Sequence, residues 1–383
     1  MSIVRLGAKA IDTTDPVLGQ VLSSTDGVVL GRRNMIINGG MQVAQRGTSA
    51  TSLSSTGYHT LDRFEYYVNA MDELRTTMSQ DSSVPTGADS GFSKSLKIDC
   101  TTAESAIAAD ENARVWHKIE AQDLARLGYG SSGAKSTTLS FYVKSSLTGT
   151  YAISFWCSDP NRNISKTYTI NTADTWERKT VTIPGDTGGT GINIDNGEGM
   201  RINWFLNAGS NFTSTNTNNQ WDTFASGRHA FGHTAAWGTN TSHNFFLTGV
   251  QFEIGESASE FEHRPFAEEL AMCQRYFIRV AAATNYSKFG VGRAWNASNT
   301  AHVVYLPVPM RDTPAFTHTT ASNFGVAGVG NNISSFGLAE RDTNNQMMTL
   351  NCVYATSSMS TGTIYQVEAN GNTNASMDFN ADL

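Results

Sequence analysis

Short runs of alternating apolar and polar residues recur through the middle of this chain, and that period of two restricts its fold more than any other feature. A strand points successive side chains to opposite faces, so such runs build sheets with one buried face. Residues 63–68 form the first run. Leu96, Ile98 and Cys100 share a face of the next, as do Leu139, Phe141 and Val143 of the one after. Residues 151–157 follow, then Val181 and Ile183 closed by Pro184-Gly185. Met200, Ile202, Trp204 and Leu206 alternate cleanly, and so do Val250, Phe252 and Ile254. Strands this short, separated by turn residues, predict a β-sandwich or jelly roll. Residues 113–127 fit a helix and a strand equally well.

Composition agrees with an all-β chain. Charged residues are 16% of the sequence, against a usual share of about 25%, and 34 glycines supply turns. The formal net charge is −7, and no cluster of Lys and Arg exists to neutralise phosphates, which argues against a nucleic-acid partner. Cys100, Cys157, Cys273 and Cys352 are widely spaced with no CxxC pair, so they are expected as reduced core residues. The first residues lack the apolar core of a signal peptide, and no run is long enough to span a bilayer. Neither secretory export nor membrane insertion is expected; assembly in a cytoplasm is.

The expected organisation is an N-terminal extended attachment arm (1–32), a jelly-roll β-sandwich with one helix at its end (33–279), and a second β-rich domain (280–383). The arm carries scattered aliphatic residues, among them Ile3, Leu6, Ile11, Val17, Leu18, Val21 and Leu22, which suit docking of residues 1–31 into grooves of a partner. Asn38-Gly39 between apolar runs predicts a hairpin over residues 34–43. Pro265, Glu268 and Glu269, with Phe266, Leu270, Cys273 and Phe277 on one stripe, predict a helix from Pro265 to about Val280. Val304, Leu306, Val308 and Met310 alternate with Pro307 and Pro309, which predicts an edge strand. Met348 to Tyr354, Tyr365 with Val367, and Met377, Phe379, Ala381 and Leu383 complete the pattern and tie the end of the chain into a sheet. Residues 280–383 hold four basic and six acidic residues, few for a solitary surface, so burial against identical copies in a homotrimer is expected.

Catalytic signatures are weak, and no enzyme is expected. There is no GxSxG elbow. Asp195 and Glu198 form a possible carboxylate pair in a Gly-rich turn, where an ordinary turn is the simpler reading. His229 and His233 lie four apart with His243 nearby, but the surrounding glycines oppose the helix that would align them on zinc. No metal and no cofactor is expected. The polar stretch 209–244, rich in Asn and Thr, contains Trp221, Phe224 and Trp237 beside Asn240; with Trp295 these are the candidate glycan-binding surface. The competing reading has the tryptophans plugging the ends of the sandwich.

Three passages resemble a domain frequent in tail fibres and other virion proteins of tailed bacteriophages. They are residues 33–47 (Arg33-Asn34-Met35-Ile36-Ile37-Asn38-Gly39-Gly40-Met41 onward) with Thr60-Leu61-Asp62-Arg63-Phe64; residues 139–151; and Thr248-Gly249-Val250-Gln251-Phe252-Glu253-Ile254-Gly255, leading to residues 261–266 and Cys273-Gln274-Arg275-Tyr276-Phe277. A second, fainter similarity lies in Pro307-Val308-Pro309-Met310-Arg311-Asp312-Thr313-Pro314. The resemblance implies a jelly roll similar to carbohydrate-binding modules, a place in a virion and no catalytic residues. The expected function is therefore a tail fibre or tip protein, docked by its arm and facing the host surface, with a host surface glycan as its candidate ligand. The alternatives are a head or capsid decoration fibre and a particle-borne glycan hydrolase.

Overall fold

The computed structural model describes residues 32–87, 91–216, 219–327, 332–338, 343–355 and 359–383. The arm residues, Ile3 to Leu22 included, lie outside these. Strands of the first module are β1 (Ser49–Leu53), β2 (Phe64–Asn69), β3 (Arg75–Asp81), β4 (Ser95–Thr102), β5 (Asn112–Glu120), β6 (Thr137–Ser145), β7 (Gly149–Cys157), β8 (Arg162–Ile170), β9 (Glu177–Ile183), β10 (Glu198–Ala208), β11 (Asp222–Thr223) and β12 (Asn244–Ile254). They pair antiparallel into two six-stranded sheets, ordered β1-β3-β4-β12-β6-β9 and β11-β8-β7-β10-β5-β2. Inward residues of both sheets share one core. Phe155 meets Phe252 at 5.7 Å, and Phe141 meets Trp204 edge-on at 6.0 Å. Neighbouring strands are mostly distant in sequence, the connectivity of a jelly-roll sandwich, and the alternating runs supply its inner face.

The ambiguous segment is both things in turn. Residues 112–120 form β5, buried on both faces, and Ala121–Leu127 is a 3-10 helix closed by Gly128 at φ +63°. Burial on both faces removes the alternation by which a strand is usually read.

The resemblance-bearing segments 33–47, 60–64, 248–255 and 261–277 meet in one polar junction. The predicted hairpin is absent. Its turn exists, with Asn38 at φ +62° and Met41 N–H donating to Asn38 O at 2.9 Å, but no strands flank it. The backbone instead runs against β12, where Met35 N–H donates to Phe252 O and Val250 N–H to Gly39 O. Asn38 Nδ2 donates to the carbonyls of Val43 and Asp62, and its Oδ1 accepts from Val43 N–H. Gly39 is required by close approach: a Cβ there would lie 2.1 Å from Val250 O. Arg63 stacks on Tyr276 and Arg46 on Phe277, each at 3.5 Å.

The helix is shorter than predicted, Phe266–Gln274. Phe277 instead begins β13 (Phe277–Ala281), so the chain enters the second core before residue 280. Then follow β14 (Lys288–Ala294), β15 (Asn299–Tyr305), β16 (Ala315–His318), β17 (Phe324–Val326), β18 (Ile333–Leu338), β19 (Met347–Tyr354), β20 (Ile364–Ala369) and β21 (Ser376–Asn380). They form a three-stranded sheet, β13-β21-β16, and a six-stranded one, β17-β20-β14-β15-β19-β18. Met377, Phe379, Met348, Leu350, Cys352 and Val367 share the core between them. The end of the chain is thus tied into a sheet, as its alternation requires. The predicted edge strand is corrected: β15 ends at Tyr305, before both prolines, and is interior, bonded to β14 and β19. All four cysteines are free and buried.

Candidate functional site

The five residues expected to form a ligand surface do not come together, and two are buried. Trp237 is 0% exposed in the core at one end of the sandwich. Trp221 is 8% exposed, donates Nε1–H to Pro184 O at 2.8 Å and packs edge-on against Tyr129. An indole at the open end of a sandwich gains more by covering core than by facing water. Asn240 is exposed and accepts from Ser242 N–H and Oγ–H in a local turn. Trp295, 61% exposed, lies in the turn between β14 and β15 of the other module. Phe224 alone packs on the outer face of the second sheet, 5.7 Å from Trp156.

That outer face is the feature the alternating pattern concealed. Residues of the opposite parity to the core point outward: Glu65 and Tyr67 on β2, Arg114, Trp116 and Lys118 on β5, Arg201 and Asn203 on β10, Ser154 and Trp156 on β7, and Asn163 on β8. They form a stacked row across the strands. Tyr67 lies 4.5 Å from Trp116, and Arg201 stands over Trp116 at 4.0 Å and over Trp156 at 4.9 Å. Glu198 holds the Arg201 guanidinium with two bonds, at 2.9 and 2.7 Å. Glu65 accepts from Trp116 Nε1–H and pairs with Lys118.

Next to this row the segment 224–236 crosses the sheet. Phe224 N–H donates to Asn161 O, Ser165 Oγ–H to Arg228 O, and Ala152 N–H to His233 Nδ1. Arg114 Nη1 reaches His229 Nδ1 at 3.0 Å, so that nitrogen accepts and Nε2 carries the proton. Burial holds the His229 pKa well below its ordinary value and lowers that of Arg114 to about 9. Several buried polar atoms here have no partner among the described residues: Ser154 Oγ, both amide atoms of Asn163, Asn203 Oδ1, Arg114 Nε and His229 Nε2. Ser154, Asn163 and Asn203 are each 0% exposed. A buried polar group left unpaired costs about 1–3 kcal/mol, and these groups sit on adjacent strands. These atoms are closed to solvent, and the face is open at the half-buried Tyr67, Trp156, Arg201 and Phe224.

The other candidates are dispersed. Asp195 Oδ1 accepts Gly197 N–H in a local turn, and Glu198 is committed to Arg201. His229 faces Arg114, His233 binds the backbone of β7, and His243 Nδ1–H donates to Trp237 O. Among the described residues no three His, Cys, Asp or Glu side chains converge as a metal would need. The missed residues had one usable signal: Tyr67, Trp116, Trp156 and Arg201 occupy outward positions of strands whose inward positions are already apolar.

No protein-family model matches the chain, and no curated protein matches it significantly. Similar solved structures include the enzymatically active domain of tailspike protein 4 from bacteriophage CBA120, at 12% identity and TM-score 0.30 over 58% of this chain. The overlap spans only 22% of that tailspike chain. A CBM4 structure is similar at 13% identity and TM-score 0.27, over 57% of this chain and 98% of the other. The family 11 carbohydrate-binding module from Clostridium thermocellum, in complex with a β-1,3-1,4-mixed-linked tetrasaccharide, is similar at 11% identity and TM-score 0.26, over 56% and 98%. At this level of similarity the assignment of a jelly-roll sandwich rests on the strand order and shared core described above.

Proposed function

We propose that the chain is a non-catalytic structural component of a tailed-phage particle, a tail fibre or tip protein. Its arm docks on the particle through residues 1–31, its copies associate as homotrimers, and the outer face of its second sheet binds a surface glycan. The particle reading is supported by the virion-type segments, of which 33–47, 60–64, 248–255 and 261–277 meet in one junction. The glycan reading is carried by a single observation: the half-buried rings of Tyr67, Trp156 and Phe224 stand with Arg201 on one sheet face, open to solvent. Sugar rings stack on aromatic faces, and the Arg201 guanidinium offers donors to their hydroxyls. The carboxylates beside the row, Glu65 and Glu198, are committed to ion pairs with Lys118 and Arg201, which suits neither a proton donor nor a free nucleophile.

The test is titration of the full chain with oligosaccharides from bacterial capsule and lipopolysaccharide. Binding is expected, and Trp156→Ala, at a half-buried surface position, should weaken it at least about tenfold, the effect of about 1.4 kcal/mol. Binding unchanged in both Trp156→Ala and Arg201→Ala would remove the site from this face. Shortening of the oligosaccharide by the purified protein would replace the binding role with hydrolysis.

A further inference from the structure

The six-stranded sheet of the second module buries one face and presents the other to solvent, and that outer face is unusually apolar. In register across neighbouring strands, Val291 lies opposite Val303, Arg293 opposite Ile364, and Asn299 opposite Val353. Val291 is 50% exposed, Val303 37%, Val353 36%, Ile364 69% and Tyr305 77%. These five share the outward parity, since the intervening His302, Met348, Leu350, Cys352 and Val367 are buried. Formal charge on the described part of this face is confined to Arg293 and, at one margin, the ion pair Lys288–Glu368. Scattered exposed aliphatics are ordinary, whereas a contiguous set on a sheet face marks an interaction surface.

We infer that this face is where one copy of the chain packs against another. The centre of the patch is β-branched and aliphatic, the chemistry of sheet-on-sheet packing at about 10 Å, and offers no aromatic platform for a sugar at Val291 or Val303. With so few charges, three identical faces turned to a common axis meet without a field of like charges opposing them. The polar residues of the same parity, Gln366 and Asn351, carry amides, each with a donor and an acceptor, so each can pair with its own counterpart. Around a three-fold axis each amide can donate to the same amide of the next copy and accept from that of the one before, which suits the homotrimer proposed above. The inference rests on the self-association proposed above and assigns it a surface.

The burial of all four native cysteines makes the test clean. Val303→Cys or Tyr305→Cys places a solvent-facing thiol in the full chain. A short bismaleimide should join two chains through it with high yield, whereas a thiol introduced at exposed Asn240 should remain uncoupled. In sedimentation velocity at micromolar concentration the unaltered chain should run as an oligomer and Val291→Asp/Val303→Asp as a folded monomer, with circular dichroism and melting midpoint retained. An unaltered chain that sediments as a monomer overturns both the self-association and this surface. An oligomer that survives the double aspartate variant and gives no cross-link at residue 303 or 305 overturns this surface alone. So does a cross-linker attached at residue 305 whose other end maps to residues 1–31 of the same chain.

Discussion

Asp382→Ala is expected to cost about 3–5 kcal/mol of folding stability, the usual effect of removing one partner from a buried ion pair. Asp382 projects from just beyond β21 into the sandwich, where it pairs with Arg46 and lies 3.8 Å from Arg63. The Arg63 side chain is 1% exposed, and those of Arg46 and Asp382 are 9%. Burial raises the Asp382 pKa despite the opposing pull of both arginines and, more weakly, Lys118, so the carboxylate is held at a cost that these cations offset in part. Nor is the network saturated: Arg63 Nε and Nη1, Arg46 Nη1 and Asp382 Oδ1 lack hydrogen-bond partners among the described residues. Without the carboxylate, two guanidinium groups remain buried against Tyr276 and Phe277 with less compensation. Asp382→Asn keeps the shape and removes the charge, so it should recover little of the loss. Urea unfolding of the three proteins decides the matter: the midpoint should fall in both variants while the slope stays constant. A cost below about 1 kcal/mol would mean the site is wet enough to screen the charges.

The same junction shows what the sequence carries and what it hides. Inward strand positions were legible because burial on one face imposes a period of two, as at Met200 to Leu206 and Met348 to Tyr354. Residues 34–43 misled because apolar runs around Asn-Gly normally mean a hairpin, and here those runs are buried against β12 and the helix Phe266–Gln274 instead. Partners more than 200 residues apart, such as Asn34 with Val250, leave no local trace. The candidate site failed for a related reason. Trp221 and Trp237 admit two readings from sequence, a ligand surface and plugs at the ends of the sandwich, and the fold places them as plugs. The outward row of Tyr67, Trp116, Arg201 and Trp156 comes from four strands spread over residues 64–208, so its register depends on pairings that no short motif encodes.

Acidification should unfold the protein well before its carboxylates titrate in bulk, because four histidines are buried in neutral form. Burial lowers the pKa of His233 and of His302 to about 4, and pushes those of His117 and His229 well below the ordinary value. An unfolded histidine takes its proton near pH 6.5. Between that pH and about 4 the unfolded chain therefore holds protons that the folded chain does not. The stability these groups contribute is complete above pH 6.5 and is lost as pH falls, by up to about 3 kcal/mol for each of His233 and His302. Asp62 opposes this. Burial pushes its pKa up to about 6, so the folded form binds a proton first and regains up to about 3 kcal/mol over roughly pH 6 to 4. Burial raises Asp123, Glu269 and Asp382 as well, but less than Asp62, so between pH 6.5 and 4.5 the four histidines outweigh the carboxylates. Unfolding free energy measured in urea from pH 7.5 to 4.5 should fall with a slope approaching about 1.4 kcal/mol per pH unit for each net proton. His302→Gln should flatten that slope and Asp62→Asn should steepen it. His302 lies in the second module, in reach of Thr300 and Tyr354, and His233 in the first, on the backbone of β7. Stability that is constant or rising from pH 6.5 down to 4.5 would show that these rings take up protons in the folded protein, and so that water reaches them.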